Sequence, residues 1–429
     1  MVSSHYPRVP LSLFTISGDH MRLFVLLIIT SILIAAESVA CTSAVISGKA
    51  TKDGRPLLWK QRDTGTLENK LVASAGERYR FLGVHDLTDS ANAECFMGSN
   101  EVGFSIINTA SYNLAYEKYK GKMDEEGMLM KKVLGTCKTL ADFEQLLNDT
   151  RGKRGVEANF GVIDAAGGAA YYETDPYAFK KFDANDPAVA PRGYLLRTNF
   201  SASGAPEDGQ GYIRYQTATD LFLWAYLGEG LSVDFLLLEG TVCFTHSLVG
   251  TNLAKDNLPE SEDVRTIVNF ADFIPRYSTS ASMVIQGVKP EEDCGLTTLW
   301  IVLGSPLTTP VVPVWVKYAE AIPSIWISKG EKAAPVNDAS LKLKARCFPL
   351  KTSEGKYYLD LAKVMNRHGT GTVQQLRDTD KEILHVAHQA VESYRKKLPT
   401  VSDVRFLYAG VEKLTLAYFS QFGYPVVRE

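Results

Sequence analysis

Short apolar runs separated by turn residues dominate the chain from Cys41 to about Asn108. Runs of this kind, bounded by glycine, proline, asparagine or aspartate, are typical of β-strands. Two turn signals are clear, KDGRP after the first run and SNEVG at residues 99–103. The pattern therefore predicts a strand-rich opening, with strands in SAVIS, PLLW, YRFLGV and FSIIN.

Apolar residues at helical spacing follow in EEGMLMKKVLGT and in TLADFEQLLND, where Thr139 is the predicted N-cap. Residues 159–173 again show the pattern of short strands and predict a hairpin. Residues 194–200 (YLLRTNF) predict a further strand. A helix is expected over residues 215–227, and mainly helical structure over 357–422. Core strands are predicted in SASMVIQG, TLWIVLG and VVPVWVKY.

No internal repeat, low-complexity tract or linker interrupts this order of elements. Strands followed by helices in one continuous chain favour a single layered domain of the α+β class with antiparallel strands. We expect a catalytic core over about 41–330 and a helical extension over about 331–429.

Residues 21–40, MRLFVLLIITSILIAAESVA, have the three parts of an export signal. Arg22 supplies the positive start, residues 23–36 form an uncharged and largely apolar run, and Ser38 and Ala40 are the small residues that a signal peptidase requires. The run is shorter than the roughly 20 residues of a membrane span, so no integral membrane anchor is expected. We predict that residues 1–40 are a leader with its true start at Met21. Removal after Ala40 would leave a periplasmic or secreted protein that begins at Cys41.

A lipoprotein signal also ends at a cysteine, but it carries a large aliphatic residue three positions earlier. Ser38 occupies that position here. The sequence thus favours an unmodified N-terminal Cys41, with a lipid-modified Cys41 as the alternative.

Composition describes an ordinary globular protein, with 45% hydrophobic and 22% charged residues and a formal charge of −3. Without a basic excess, nucleic acid is not an expected partner. The five other cysteines show no C-x-x-C spacing and are expected to be core residues, although one or two disulfides remain open. They are Cys95, Cys137, Cys243, Cys294 and Cys347.

The mature chain would hold five histidines, and none of them stands in a diagnostic pattern. His246 is the only candidate partner for a cysteine, and a structural role is favoured for it. His385 and His388 lie one turn apart on a predicted helix without acidic residues at metal-site spacing. No metal and no cofactor are therefore predicted, and the sequence leaves the oligomeric state open.

An N-terminal cysteine carries both a nucleophile and a base. A free thiol has a pKa of about 8.5, and an α-amine of about 7.7–8.0, so the amine can accept the thiol proton near neutral pH. The thiolate can then attack an amide carbonyl and form a thioester that water hydrolyses. The scarcity of histidines favours this self-contained mechanism.

The opening CTSAVISGKATKDGRPLLWKQRDTG, residues 41–65, resembles that of N-terminal nucleophile hydrolases acting on linear amides. This superfamily includes choloylglycine hydrolases, penicillin V acylases, acid ceramidase-like enzymes, isopenicillin N acyltransferases and Cys-type dipeptidases. The later segments YLLRTNF and STSASMVIQG most resemble the isopenicillin N acyltransferase-like branch. The resemblance implies an αββα sandwich, in which two antiparallel sheets lie between helical layers.

The resemblance also implies roles for residues near the opening. Cys41 matches the nucleophile, and Asp63 matches the acidic residue that contacts the terminal amine, with a turn-starting role as the alternative. The family has an arginine three residues before that aspartate, where this chain has Lys60. Arg62 follows on the same predicted strand face, so either side chain could supply the positive charge.

Later residues are matched in the same way. Asn108 resembles one asparagine that binds the oxyanion, with a strand-end cap as the alternative, and Asn199 resembles the second. Arg276 resembles a late arginine near the nucleophile. Arg197 alternates with Asn199 along the predicted strand and is a candidate for binding a substrate carboxylate, or else a surface residue.

The expected function is that of an exported cysteine amidohydrolase acting on a small, non-protein linear amide such as an N-acyl amino acid or a conjugated bile acid. An acyltransferase of the isopenicillin N type and a Cys-type dipeptidase are the enzymatic alternatives. A lipidated surface protein that binds ligands is the non-enzymatic alternative.

Overall fold

A computed structural model describes residues 40–114 and 118–427 of the chain. Apart from Ala40, the predicted leader at residues 1–40 lies outside the described residues. The described residues belong to one compact unit. None of the helices within these two ranges combines the length and hydropathy that a membrane span needs.

The first large sheet has six strands in antiparallel register, in the order β10-β1-β2-β14-β15-β16. Every residue of its central strands is buried, because each face is covered by another layer. A β-bulge interrupts the β2–β14 pairing next to Asp63, which pairs with Thr279 while Arg62 pairs with Ala281. The strands are β1 Thr42–Ile46, β2 Leu57–Asp63, β10 Tyr194–Arg197, β14 Thr279–Gln286, β15 Thr298–Val302 and β16 Val312–Val314.

The second large sheet is a seven-stranded antiparallel meander in which each strand pairs with the next along the chain. It packs face to face on the first sheet: a Cβ added at Gly161 would lie 2.8 Å from Val45 Cγ2, so glycine allows this close approach. Ser43 and Tyr171 share a buried hydrogen bond of 2.7 Å between the two sheets. The strands are β3 Asn69–Ala75, β4 Arg80–Asp86, β5 Met97–Asn100, β6 Ser105–Ala110, β7 Ala158–Ile163, β8 Ala169–Thr174 and β9 Phe179–Asp183.

Helices cover the outer faces of both sheets. Helices α1 (Glu126–Thr136) and α2 (Leu140–Asp149) enclose a separate apolar cluster against the seven-stranded sheet. The other helices lie later in the chain, and several of them join the main core formed with the six-stranded sheet. They are α3 Tyr212–Leu227, α4 Val233–Phe235, α5 Pro335–Cys347, α6 Leu361–Val364, α7 Thr372–Lys396 and α8 Val401–Gln421.

The layer order is therefore helix, sheet, sheet, helix, which confirms the αββα sandwich with antiparallel sheets. Two small ribbons complete the fold, β11 (Thr245–His246) with β12 (Thr251–Asn252) and β13 (Ile267–Asn269) with β17 (Tyr358–Asp360). The second ribbon pairs a strand of the predicted core with one of the predicted helical extension. The division near residue 330 stays a prediction.

Several local predictions are confirmed. Thr139 caps α2 through a capping box with Asp142. The hairpin predicted over 159–173 is formed by β7 and β8, and α1 occupies the first predicted helix.

Two boundaries were wrong. The strand predicted over 194–200 ends at Arg197, so Asn199 lies beyond it in an isolated bridge to Gln210. The segment VVPVWVKY is extended only to Val314 and then forms a 3₁₀ turn over Val316–Ala321.

Candidate active site

Cys41 lies one residue before β1 and is 2% exposed. It lines a cavity of ≈ 420 Å³. Other walls come from the end of β2, the end of β6 and the segment that leads into α1. The side chains around the cavity are those of Cys41, Lys60, Arg62, Thr64, Asp86, Glu94, Phe96, Asn108, Ala110, Ser111, Tyr112, Met123, Asp124, Glu126 and Glu157, with Gly127.

Lys60 is the buried cation of this cavity. Its Nζ donates to Asn108 Oδ1 at 2.6 Å and to the Phe96 carbonyl at 2.8 Å. Burial lowers the pKa of the Lys60 ammonium to about 8, a shift that the nearby Cys41 partly opposes. With this pKa, the Lys60 side chain can lose its proton only slightly above physiological pH.

Arg62 shares the cavity wall with Lys60, as their spacing in the strand predicted. Its guanidinium is already bound, however, since it donates to Asp86 Oδ1 at 2.8 Å and to Asn69 Oδ1 at 2.6 Å. It also lies 4.2 Å from the centre of the Phe96 ring. Of the two candidates, Lys60 is thus the one that has no carboxylate partner among the described residues.

The buried Asp63 and the partly buried Arg276 form an ion pair beside the peptide bond that precedes Cys41. Arg276 Nε donates to Asp63 Oδ2 at 2.8 Å, and Arg276 Nη2 donates to the Ala40 carbonyl at 3.1 Å. Thr279, set by the β-bulge, donates to the other carboxylate oxygen of Asp63 at 2.6 Å. Sequence reasoning named Asp63 and Arg276 separately, and the structure brings them together next to Cys41.

The two asparagines are placed differently. Asn108 lines the cavity, and because Lys60 holds its Oδ1, its amide NH₂ is left as the donor. Asn199 is fully buried and does not line the cavity. Its Nδ2 donates to the Ala110 carbonyl at 2.9 Å. The geometry therefore favours Asn108 over Asn199 as the donor to an oxyanion.

Arg197 does not reach the cavity, and it is not a surface residue either. It is 5% exposed, and its Nε donates to Glu173 Oε1 at 2.7 Å. The rings of Tyr171 and Phe182 flank its guanidinium. The carboxylate that Arg197 binds is thus one of the protein's own, and a contact of Arg197 with substrate stays a prediction.

Sequence reasoning missed Arg214, which lies in the first turn of α3. Its Nη1 donates to the Cys41 carbonyl at 2.5 Å and to Thr42 Oγ1 at 2.8 Å, while Nη2 donates to Asn199 Oδ1 at 2.9 Å. Burial lowers the pKa of Arg214 to about 9, and Arg276 adds to the decrease. The helix predicted to begin at residue 215 left Arg214 outside any element.

Carboxyl groups make up much of the cavity wall. Burial raises the pKa of Glu126 to about 7. It also raises the pKa of Glu94, with Asp89 contributing to the increase. Together with Asp86, Asp124 and Glu157, these residues make five carboxyl side chains against the two cationic ones of Lys60 and Arg62. The cavity is thus predominantly acidic.

The other candidate groups lie elsewhere. All six cysteines, each within the described residues, are unpaired, so the structure forms none of the disulfides that the sequence left open. His246 packs its ring against Phe273 at 5.2 Å and is not part of the cavity lining. Within residues 40–114 and 118–427, no group of three or more His, Cys, Asp or Glu side chains is arranged to hold a metal.

No protein-family model and no curated protein matches the chain. Solved structures with a similar fold include a Caenorhabditis elegans ortholog of N-acylethanolamine-hydrolyzing acid amidase, at 17% identity and a TM-score of 0.37 over 59% of this chain and 95% of that one. Penicillin V acylase from Agrobacterium tumefaciens is 13% identical, with a TM-score of 0.33 over 65% and 86% of the two chains. A variant of conjugated bile acid hydrolase from Clostridium perfringens is also 13% identical, with a TM-score of 0.35 over 65% and 93%.

The layer order rests on the chain's own sheet pairing. Any activity has to be argued from the residues around Cys41.

Proposed function

We propose that this chain is an exported cysteine amidohydrolase that cleaves small linear amides through a thioester on Cys41. The observation that carries the proposal is the cavity that Cys41 shares with the Lys60–Asn108 pair, beside the Asp63–Arg276 pair. A nucleophile, an oriented amide donor and buried charges around one cavity are the parts that acyl transfer needs.

The reaction begins when Ala40 has been removed and the Cys41 nitrogen is a free amine. The amine takes the thiol proton, and the sulfur attacks the amide carbonyl of the substrate. The negative charge that develops on the carbonyl oxygen is stabilised by the Asn108 Nδ2 donor. The protonated amine then returns its proton to the leaving nitrogen as the C–N bond breaks, and water hydrolyses the remaining thioester.

Asp63 and Arg276 would act on the new amine. Arg276 donates to the carbonyl of the residue that is removed, so the amine is released beside this pair. The Asp63 carboxylate, which also pairs with Arg276, can accept a hydrogen bond from the amine and fix its direction.

Asn108→Ala is expected to lower kcat by about 100-fold to 1,000-fold, the range for losing one oxyanion donor. Asn108→Asp is the informative partner variant, because it keeps an oxygen for Lys60 but removes the NH₂ donor. We expect it to be at least as damaging as the alanine variant. Full activity in Asn108→Asp would show that Asn108 serves only to hold Lys60.

The acidic lining favours substrates that carry a protonated amine over anionic N-acyl amino acids or bile conjugates, because carboxylates attract cations and repel anions. Short peptides with a free α-amine fit this requirement. Among the expected alternatives, the dipeptidase is therefore the one that a specific observation favours.

We expect an alanyl anilide with a free α-amine to be hydrolysed with a kcat/KM about 10-fold above that of its neutral propionyl counterpart, which corresponds to about 1.4 kcal/mol. The preference should weaken as the pH falls through about 7, because the raised pKa of Glu126 means that its carboxylate is protonated below that pH. Steady-state kinetics on both anilides between pH 5.5 and pH 7, where the α-amine of the alanyl anilide stays mainly protonated, would measure it; Glu126→Gln should remove the pH dependence of the ratio in this range. Equal rates for the two anilides would rule out this substrate class.

A further inference from the structure

We propose that Arg214 is a positioning residue that holds Cys41 in its reactive geometry once the leader is gone. The inference rests on the proposed function of Cys41. The guanidinium of Arg214 is buried, and its described hydrogen bonds go to Cys41, Thr42 and Asn199.

The strand ladder does not hold Cys41 by itself. The pairing of β1 with β2 begins at Thr42, opposite Gln61, and the pairing with β10 begins at Ser43. After cleavage Cys41 becomes a chain end, and chain ends fray unless something ties them down. Arg214 binds the carbonyl of Cys41 and the side chain of Thr42, so it fixes the peptide plane from which the amine and the thiol project.

The guanidinium has no carboxylate partner of its own among the described residues. It is 2% exposed, and its hydrogen bonds go to uncharged oxygens. Burying a cation without a carboxylate partner is costly. Negative charge that forms on the Cys41 sulfur during the reaction would compensate the Arg214 charge, and the attraction would favour the thiolate.

Arg214 also orients the side chain of Asn199. Because Arg214 donates to Asn199 Oδ1, the amide of Asn199 is turned so that its nitrogen donates to the Ala110 carbonyl in the cavity wall. One guanidinium therefore links the nucleophile to the strand end that carries Asn108.

Space for the guanidinium is provided by Gly211, the residue before α3. Its φ is 86°, and an added Cβ would lie 2.4 Å from Arg214 Nη2. Any other residue would be strained there and would displace the guanidinium.

The test compares Arg214→Met, Arg214→Lys and a matched control, Arg154→Met, in the full chain expressed with its leader. Arg154 is also buried without a carboxylate partner among the described residues. Its hydrogen bonds go to Thr150 and to the carbonyls of Leu147, Asp175 and Ala178, none of which lines the cavity. We expect Arg214→Met to lower kcat by about 10-fold to 100-fold with KM changed less than about threefold, and to shift the acidic limb of the rate profile to higher pH. Arg214→Lys should recover part of the loss, and Arg154→Met should keep kcat.

A second readout does not depend on hydrolysis. The rate at which iodoacetamide alkylates Cys41, followed by mass spectrometry against pH, should fall in Arg214→Met and recover partly in Arg214→Lys. If every folded variant alkylates like the parent, the positioning role is wrong whatever the activity. If the parent chain hydrolyses no amide but the alkylation rate still depends on Arg214, the proposed function fails and the positioning role stands.

Discussion

Cys41→Ser is expected to lower kcat for amide hydrolysis by at least about 1,000-fold while leaving the free energy of unfolding nearly unchanged. Serine fits the space of the buried thiol, but its hydroxyl is far harder to deprotonate by an amine whose pKa lies near 8. The thioester cannot form, and the remaining donors act only on the uncatalysed attack of water.

The matched control is Cys294→Ser. Cys294 is partly buried, does not line the cavity, and its sulfur lies 3.6 Å from the Glu101 carbonyl. Kinetics and thermal unfolding of both variants separate chemistry from stability. Undiminished hydrolysis by a folded Cys41→Ser protein would remove Cys41 from the reaction.

Retaining one extra glycine before Cys41 is expected to lower kcat by about 100-fold to 10,000-fold, the usual contribution of a general base. The extension converts the basic amine into an amide that cannot accept the thiol proton. The comparison needs two proteins that differ only at this position, one beginning at Cys41 and one with the added glycine. Steady-state kinetics on the alanyl anilide would measure the difference.

Lys60 offers a competing base, because its ammonium is buried near Cys41 with a pKa lowered to about 8. If Lys60 takes the proton, the added glycine will leave the rate high and Lys60→Met will abolish it. If the Cys41 amine is the base, the protein with the added glycine is expected to be less active than Lys60→Met. In Lys60→Met the loss should come from a misoriented Asn108, since the methionine cannot donate to Asn108 Oδ1.

Much of the fold could be predicted from the sequence because its strands are short, apolar and bounded by strong turn signals. Thr139 was recognisable as the N-cap of α2, and it forms a capping box there. The boundary errors occurred in buried segments, where apolar and polar residues do not alternate regularly. The sequence predicts a strand as far as Tyr318, but residues 316–321 form a 3₁₀ turn in which Val316 and Tyr318 are buried and Tyr318 donates to the Pro399 carbonyl at 2.9 Å.

The site was predictable only where the chemistry is local. Cys41 and Asp63 follow from a short opening motif, and Lys60 and Arg62 share a strand face as their spacing requires. The choice between Lys60 and Arg62 depended on Asp86, the ion-pair partner of Arg62. Arg214 contacts a residue 173 positions away and lies in the first turn of a helix that has no side-chain cap, so no local pattern marked it.

An acid-quenched intact-mass measurement on protein expressed with its leader and mixed with the alanyl anilide tests the thioester on Cys41. We predict a chain that begins at Cys41 with a free amine, and a transient increase in mass equal to the acyl group, located on the Cys41 sulfur by peptide mapping. A diacylglycerol or any other group already on that sulfur, a blocked or different N-terminus in active protein, or hydrolysis without an adduct on Cys41 would contradict it.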